Sequence, residues 1–358
     1  MVALAAAVLV QQRCAVSFQQ EREGCGVHAN FKNTHVTNTH ECQSGQLAAH
    51  AAAQNDVDMR VSLATLSMKN PLTVASGTFA SGREYADFVD VSRLGAITTK
   101  GVSAHAWEGN DQGRLAETPS GILNSIGLQN KGAKHFIEND LAWLNQQQTR
   151  VIVNVCGHSY DEYVQALDAL EQASGIDAYE INISCPNVDA GGMALGTQVQ
   201  AVERIVSLLR ARTRRTLLIK LTPNVTDITE IARAAESAGA DALSLINTLL
   251  GMAIDAKRRR PILSRVVGGL SGPAIKPVAL RCVWQVHKAV RIPILGMGGV
   301  ASGTDVAEFM LAGASAVAIG TENFVDPCAT MRILDELYAY AREQHISQIS
   351  ELIGGLQC

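Results

Sequence analysis

Long apolar runs are missing from this 358-residue chain: none approaches the ~20 residues that a helix needs to span a bilayer. Paired cysteines are missing too. The 8 cysteines form no CxxC pair and no regular spacing, which excludes a disulfide framework and a zinc site of ordinary pattern. No cysteine cluster could hold an iron–sulfur centre. No GxGxxG follows an early strand, which argues against a Rossmann dinucleotide site. A surplus of positive charge is also lacking. Lys+Arg 30 against Asp+Glu 34 leaves a net charge of −4, no electrostatic footprint for nucleic acid or an anionic membrane. Aromatics make up only 4%, whereas there are 30 glycines, which suits an α/β protein with many tight strand-to-helix turns. The expectation is a cytoplasmic protein in a reducing compartment, with no metal.

The first 58 residues differ in kind. They hold His28, His35, His40 and His50 with Cys14, Cys25 and Cys42, at spacings that fit no metal-ligand pattern. Val2 to Val10 is apolar like a signal-peptide core, but no Lys or Arg precedes it. No helical or strand period runs through the segment, so residues 1–58 read as a disordered extension. The functional polypeptide is expected to start near Met59, with 353–358 as a short tail.

From Leu72 onward short apolar strands alternate with amphipathic helices. Strands are predicted at Leu72–Ser76, Ala96–Thr99, Val151–Val155, Ala178–Ile183, Leu217–Leu221, Ala242–Ile246, Pro293–Gly296 and Ala316–Ile319. Helices are predicted at Arg83–Ser92, Ala133–Gln146, Tyr160–Ala173, Gln198–Ala211, Asp227–Ser237, Ala274–Ala289, Gly303–Leu311 and Ala329–Glu343. Several are followed by the glycine of an αβ loop (Gly95, Gly175, Gly239, Gly313). Strands apolar on both faces belong to a parallel sheet covered by helices. Eight such units in succession predict a closed (β/α)₈ TIM barrel over residues 59–352. Two connections, Val102–Arg150 and Leu249–Ile292, run long, which marks them as functional insertions.

A barrel places its chemistry at the carboxyl ends of its strands. Here those ends read ASGTF (Ala75–Phe79), TTKG (Thr98–Gly101), NVCG (Asn154–Gly157), NISCPN (Asn182–Asn187), IKLTPN (Ile219–Asn224), INT (Ile246–Thr248), GMGG (Gly296–Gly299) and IGT (Ile319–Thr321). Lys100 and Lys220 lie inside otherwise apolar strands, where an unpaired ammonium is costly. No carboxylate sits in these strand-end motifs to pair with them, so both are expected to meet anionic ligands. The last two ends, with Gly298, Gly299, Gly320 and Thr321, occupy the usual phosphate position of a barrel. The Gly268–Pro273 run adds a further donor edge. A mononucleotide cofactor fits these features better than a dinucleotide. Cys185 lies between Asn182 and Asn187, where a strand breaks at Pro186 into a Gly-containing loop. A lone cysteine is ordinarily a buried structural residue, but one at this rim can reach a bound substrate.

Taken together, NISCPN, NSIGLQN (Asn124–Asn130), TTKG, IKLTPN, GGLSGPAIKP (Gly268–Pro277), GMGGV and AIGT resemble the dihydroorotate dehydrogenase family, and within it class 1B. The likeness covers Met59 to about Leu352, in order. It implies a barrel with FMN at its carboxyl rim that oxidises (S)-dihydroorotate to orotate in pyrimidine (UMP) synthesis. Class 2 enzymes, membrane-associated and quinone-linked, have Ser where this chain has Cys185. The loop NVDAGGMALG and the segment LSGPAIKP resemble class 1B rather than the fumarate-using class 1A. The extension before Met59 has no counterpart.

Position by position, the resemblance makes Cys185 the base that removes the C5 proton while the C6 hydride passes to the flavin. Lys100, Asn124, Asn182 and Asn247 would hold the substrate, with Ser125, Ile126, Gly127, Leu128 and Thr248 beside them. Lys220 would sit by the flavin N1–O2 edge. Ser76, Lys100, Gly101, Asn154, Asn182, Ile246, Gly272, Gly298, Gly299, Gly320 and Thr321 would contact FMN. Class 1B further implies a heterotetramer: a homodimer of catalytic chains with accessory subunits that carry FAD and a 2Fe–2S cluster and pass electrons to NAD+. The rival readings are a class 1A enzyme that reduces fumarate directly, another flavin barrel acting on dihydropyrimidines, and a barrel that binds without turnover.

Overall fold

The computed structural model describes residues 57–184 and 195–357, and the compact unit considered below starts at Met59. Apart from Val57 and Asp58, the expected extension lies outside the described residues, as does Cys185.

Eight parallel strands make the central sheet: β1 (Leu72–Val74), β2 (Ala96–Thr98), β3 (Arg150–Val155), β4 (Ala178–Asn182), β5 (Thr216–Lys220), β6 (Ala242–Leu245), β7 (Ile294–Met297) and β8 (Ala316–Ile319). Each pairs with its successor in the chain from β2 to β8, and β8 pairs with β1. The seam between β1 and β2 is closed by the Gly95 N–H donating to the Leu72 carbonyl at 3.1 Å. The Thr73 and Thr98 hydroxyls meet across it, also at 3.1 Å. The expected barrel is therefore present, with strand limits within two residues of the predicted ones.

The sequence puts the strands here because apolar residues predominate on both of their faces, and both are buried: every residue of β4, β5 and β6 is buried. Outside the barrel, helices bury one stripe each. Helix Val199–Arg210 covers the sheet with Ala201, Val202, Ile205, Val206 and Leu209, spaced three or four apart. Starts are fixed by side chains that accept backbone N–H groups: Ser159 from Glu162, Asp227 from Thr229, and Ser302 from Asp305 in a capping box.

A hairpin of Val61–Leu63 and Leu66–Met68 closes the amino end of the barrel. Its Thr65 hydroxyl bonds Thr216 at the start of β5 (2.7 Å), and its Ser67 carbonyl accepts from Arg150 at the start of β3 (3.2 Å).

The helix expected over Arg83–Ser92 does not form. Two 3₁₀ turns, Arg83–Tyr85 and Val91–Arg93, stand there instead. Asp90 takes the Ser92 N–H and hydroxyl on its carboxylate, a local bond that competes with helix continuation. The helix expected over Ala133–Gln146 starts at Gly132 and has a π-helical centre, Phe136–Leu141. The two long connections hold a feature that the sequence did not reveal. Strands Leu115–Thr118, Gly121–Asn124, Leu249–Met252 and Val267–Ser271 form one antiparallel sheet, in which Gly121–Asn124 from the first insertion pairs with Val267–Ser271 from the second.

No helix among the described residues is long and apolar enough to cross a membrane. No group of three or more His, Cys, Asp or Glu among them is arranged to hold a metal ion.

Candidate functional site

Directly opposed residues of parallel strands project from the same face of the sheet, as do residues two apart in one strand. Asn154 opposes Glu180, Asn182 opposes Lys220, and Lys220 opposes Ser244. These five polar residues, all buried, therefore line the inside of the barrel toward its carboxyl end.

Lys220 is 5% exposed and donates to the Ser76 hydroxyl at 3.3 Å. Its ammonium also lies 3.6 Å from Glu180 Oε1. This corrects the expectation that Lys220 has no carboxylate partner. Glu180 sits on the neighbouring strand, two residues below Asn182, and is 0% exposed. Asn154 Nδ2 donates to the same Glu180 oxygen at 2.5 Å. Asn154 Oδ1, Glu180 Oε2 and Ser244 Oγ have no hydrogen-bond partner among the described residues. Buried polar atoms are rarely left so, and this group sits where a polar ligand edge would satisfy them. Gly101 adjoins it, since a Cβ there would fall 3.2 Å from Asn154 Oδ1 and 3.3 Å from Cys156 Sγ.

A second group gathers on the next sector of the rim. Asn247 Nδ2 donates to Asn182 Oδ1 at 3.4 Å. The Thr248 N–H donates to Asn247 Oδ1 at 2.8 Å, and the Thr248 carbonyl accepts from Asn224 at 3.0 Å. Thr248 also packs on Gly269, whose carbonyl accepts from Asn124 Nδ2 at 3.2 Å. The small sheet thus carries Asn124 to the residues that follow β6. After Asn124 the chain turns through Ser125, whose buried hydroxyl is unpartnered among the described residues, then Ile126, Gly127 and Leu128. The last two have φ +73° and +52°. Asn110 fastens this turn from outside, donating to the Ser125 carbonyl at 2.9 Å and the Ile126 carbonyl at 3.0 Å. Beside it lies a cavity of about 630 Å³, lined by Gly127, Leu128, Arg265 and Trp107 stacked on His158.

Lys100 reaches the rim from the end of β2. Burial is the largest influence on its ammonium and holds it below the usual lysine range; Glu84 opposes that shift and Arg114 adds to it.

The third group is the glycine corner. Gly298 (φ +128°) and Gly299 (φ +80°) turn the chain out of β7. A Cβ on Gly298 would meet Ala279 at 2.8 Å and Ile246 at 3.3 Å. One on Gly299 would strike the Gly272 carbonyl at 2.8 Å and the Lys276 nitrogen at 2.9 Å. The Thr321 hydroxyl donates to Ser271 Oγ at 2.9 Å, beside Gly272. At Gly320 the nearest atom to a would-be Cβ is Ala75 Cβ at 3.5 Å, so the face of that residue is open. Backbone that only glycine can supply on one side, and open space on the other, fits a phosphate cradle.

The structure thus joins Ser76, Gly101, Asn154 and Lys220 in one cluster and Asn124, Asn182, Asn247 and Thr248 in a second. The third holds Ile246, Gly272, Gly298, Gly299 and Thr321, with Gly320 at the adjoining strand end. Two residues of this rim escaped the reading of site residues from sequence. Glu180 was hidden in an apolar strand, although its spacing of two from Asn182 puts both on one face. Asn224 closes the IKLTPN motif and bonds Thr248.

The dihydroorotate dehydrogenase family model matches residues 58–340. The chain is 52% identical over 300 residues to "Dihydroorotate dehydrogenase B (NAD(+)), catalytic subunit" of Bacteroides thetaiotaomicron, covering 84% of this chain and 99% of that one. It is 54% identical over 299 residues to the protein of the same name from Alkaliphilus oremlandii, with 84% and 99% covered. The Porphyromonas gingivalis protein of that name is 54% identical over 291 residues, with 81% and 95% covered. In fold it is similar to a crystal structure of DHODH from Eimeria tenella in complex with ferulenol, with TM-score 0.70, 21% identity, and 87% of this chain and 94% of that one covered. On this sequence match, carried over nearly the whole length of its relatives, the chain belongs to the dihydroorotate dehydrogenase family of oxidoreductases.

Proposed function

We propose that this chain oxidises (S)-dihydroorotate to orotate in pyrimidine biosynthesis, as the catalytic subunit of an NAD+-linked enzyme. The observation that carries the reading is the convergence of Lys220, Asn182 and Asn247 with the glycine corner on one rim of the barrel. An FMN site needs these parts: a phosphate cradle, a cation for the pyrimidine edge, and amides along the ring.

In this reading Gly272, Gly298, Gly299, Gly320 and Thr321 hold the phosphate, with Ile246 behind it. Ser76, Lys100, Gly101, Asn154, Asn182 and Lys220 surround the ring. The orphaned Asn154 Oδ1 supports the fit, because it is a buried acceptor aimed beside Gly101 with no donor in the chain as described. Bound there, FMN supplies the acceptor for the C6 hydride. The chain's own residues do the rest. Asn124, Asn182 and Asn247 orient the substrate ring through its amide groups, with Ser125–Leu128 and Thr248 as walls. Lys100 binds the carboxylate: an ammonium already held partly out of water gains more from an anion than a hydrated one does. Cys185, outside the described residues, takes the C5 proton; a thiol near a cation or amide has its pKa brought toward neutrality, where a general base works best.

Onward transfer to NAD+ is assigned to a partner subunit with FAD and a 2Fe–2S cluster, in a heterotetramer built on a dimer of this chain. The relatives' name, with both "NAD(+)" and "catalytic subunit", supports this. So does the exposure of Leu250 (69%), Ile254 (61%) and Met252 (49%) on and beside the small sheet, apolar surface of the kind that meets another chain. A cytoplasmic location accords with these assignments.

The test is to purify the protein, record its visible spectrum and add dihydroorotate anaerobically. The flavin bands are expected to bleach at once. Fumarate should not restore them rapidly, whereas NAD+ should do so only once the partner is added. Protein without flavin, or flavin that dihydroorotate leaves oxidised, would refute the reading; fast reoxidation by fumarate would refute the subunit assignment.

A further inference from the structure

Glu180 has no part in the scheme above, yet it is a carboxylate buried within the barrel, at 0% exposure. Burying a carboxylate is expensive unless it is paired and hydrogen-bonded. Its pairing is specific. Oε1 accepts from Asn154 Nδ2 at 2.5 Å and stands 3.6 Å from the Lys220 ammonium. Lys220 donates on its other side to Ser76 at 3.3 Å. The ammonium is therefore suspended between a hydroxyl at the rim and a carboxylate one layer deeper, while Asn154 fixes that carboxylate from the opposite strand. The other groups that face Lys220 from adjoining strands, Asn182 and Ser244, are uncharged.

We propose that Glu180 is a positioning residue for the redox reaction: it holds the Lys220 side chain in place, and through it sets how strongly the site stabilises negative charge on the bound flavin. The inference rests on the flavin reading given above. The physical reason is that a buried ammonium that loses its counter-charge moves toward water. That movement withdraws the cation from the place where charge develops on reduction. A glutamine is nearly the same shape and keeps a bond to Asn154 but carries no charge. Glu180→Gln thus separates the electrostatic role from packing.

The experiment uses flavin-loaded wild type, Glu180→Gln, Glu180→Asp, Lys220→Met and the double variant Glu180→Gln/Lys220→Met. It measures the midpoint potential and the dissociation constant for sulfite, which adds to flavins and leaves negative charge on the ring. Glu180→Gln is expected to bind sulfite at least about tenfold more weakly, as for a lost charge interaction near a ligand, and to have a lower potential. Glu180→Asp should fall between it and wild type. In the Lys220→Met background, Glu180→Gln should change neither quantity further. If Glu180→Gln alone is too unstable to hold flavin, melting of the flavin-free proteins decides. Removing one partner of a buried pair destabilises strongly, and removing both does so far less, so the double variant should recover most of the loss. Wild-type protein without flavin would overturn the site reading and this inference with it. With flavin in wild type, a Glu180→Gln protein that matches or exceeds wild type in sulfite affinity and potential overturns this inference alone. So does a double variant as unstable as the single one.

Discussion

Two glycines of the proposed phosphate cradle make opposite predictions when each becomes alanine. Gly299 has φ +80°, and its new methyl would sit 2.8 Å from the Gly272 carbonyl and 2.9 Å from the Lys276 nitrogen, both backbone atoms that cannot swing away. The left-handed conformation costs about 1–2 kcal/mol for a residue with a Cβ, and forcing atoms into a packed corner adds about 1–3 kcal/mol. At roughly 2 °C per kcal/mol for a unit of this size, Gly299→Ala should lower Tm by ~4–10 °C. Gly320→Ala meets nothing nearer than Ala75 Cβ at 3.5 Å, ordinary contact, so its stability should stay within about 0.5 kcal/mol of wild type. Its methyl would instead occupy the space assigned to the phosphate, and FMN affinity should fall ~10-fold or more, some 1.4 kcal/mol. Thermal melts of flavin-free protein and titration of FMN fluorescence measure the two quantities separately. Gly320→Ala with wild-type FMN affinity would remove the phosphate from that strand end. Gly299→Ala with a wild-type Tm would refute the argument from strain.

Cys185→Ser should keep the fold and FMN but slow flavin reduction by dihydroorotate ~10²-fold or more at neutral pH, since a hydroxyl is a far weaker base; stopped-flow rates within threefold of wild type would sink the assignment. A chain beginning at Met59 should fold and bind FMN with unchanged affinity, because residues 1–58 show no periodicity or caps; failure of that chain to hold flavin refutes the boundary. Burial lowers the Lys100 pKa, so the unfolded chain holds this proton more tightly than the folded one. Its cost to the ligand-free fold is therefore present at neutral pH and relieved as pH rises from the lowered value toward the ordinary ~10.4. Anion binding runs the other way: orotate affinity should fall through that same lowered value, and Lys100→Met should abolish the dependence. Orotate affinity that is independent of pH in wild type up to the ordinary lysine range would contradict this.

The barrel was legible because its strands are apolar on both faces and its helices on one, two periods that differ enough to separate by eye. The rim was legible because polar and glycine residues fall at every strand end. The small sheet was not. Its strands are short, and Val267–Ser271 includes Gly268 and Gly269, which have little β-propensity; Gly268 pairs with Gly251, and Gly269 with Leu250 and the distant Asn124. Glu180 was passed over for a different reason. Buried charge looks like an exception within an apolar run until the neighbouring strand supplies Lys220. The absent helix at Arg83–Ser92 shows local chemistry prevailing over periodicity, through the Asp90 carboxylate.

The antiparallel pairing of the two insertions has a consequence for the order in which the molecule is made. Asn124 and Gly269 are hydrogen-bonded across a sequence separation of 145 residues, and β3 to β6 lie between them. Closing so long a loop gains little until the intervening strands have drawn its ends together, since the entropic cost comes before any contact repays it. The small sheet, and with it the wall that carries Asn124 and Thr248, therefore forms only after β3 to β6 have packed. The contact that closes the barrel, Val317 of β8 beside Leu72 of β1, spans a longer stretch of chain still, so the proposed substrate wall is built on the middle of the barrel and does not nucleate it.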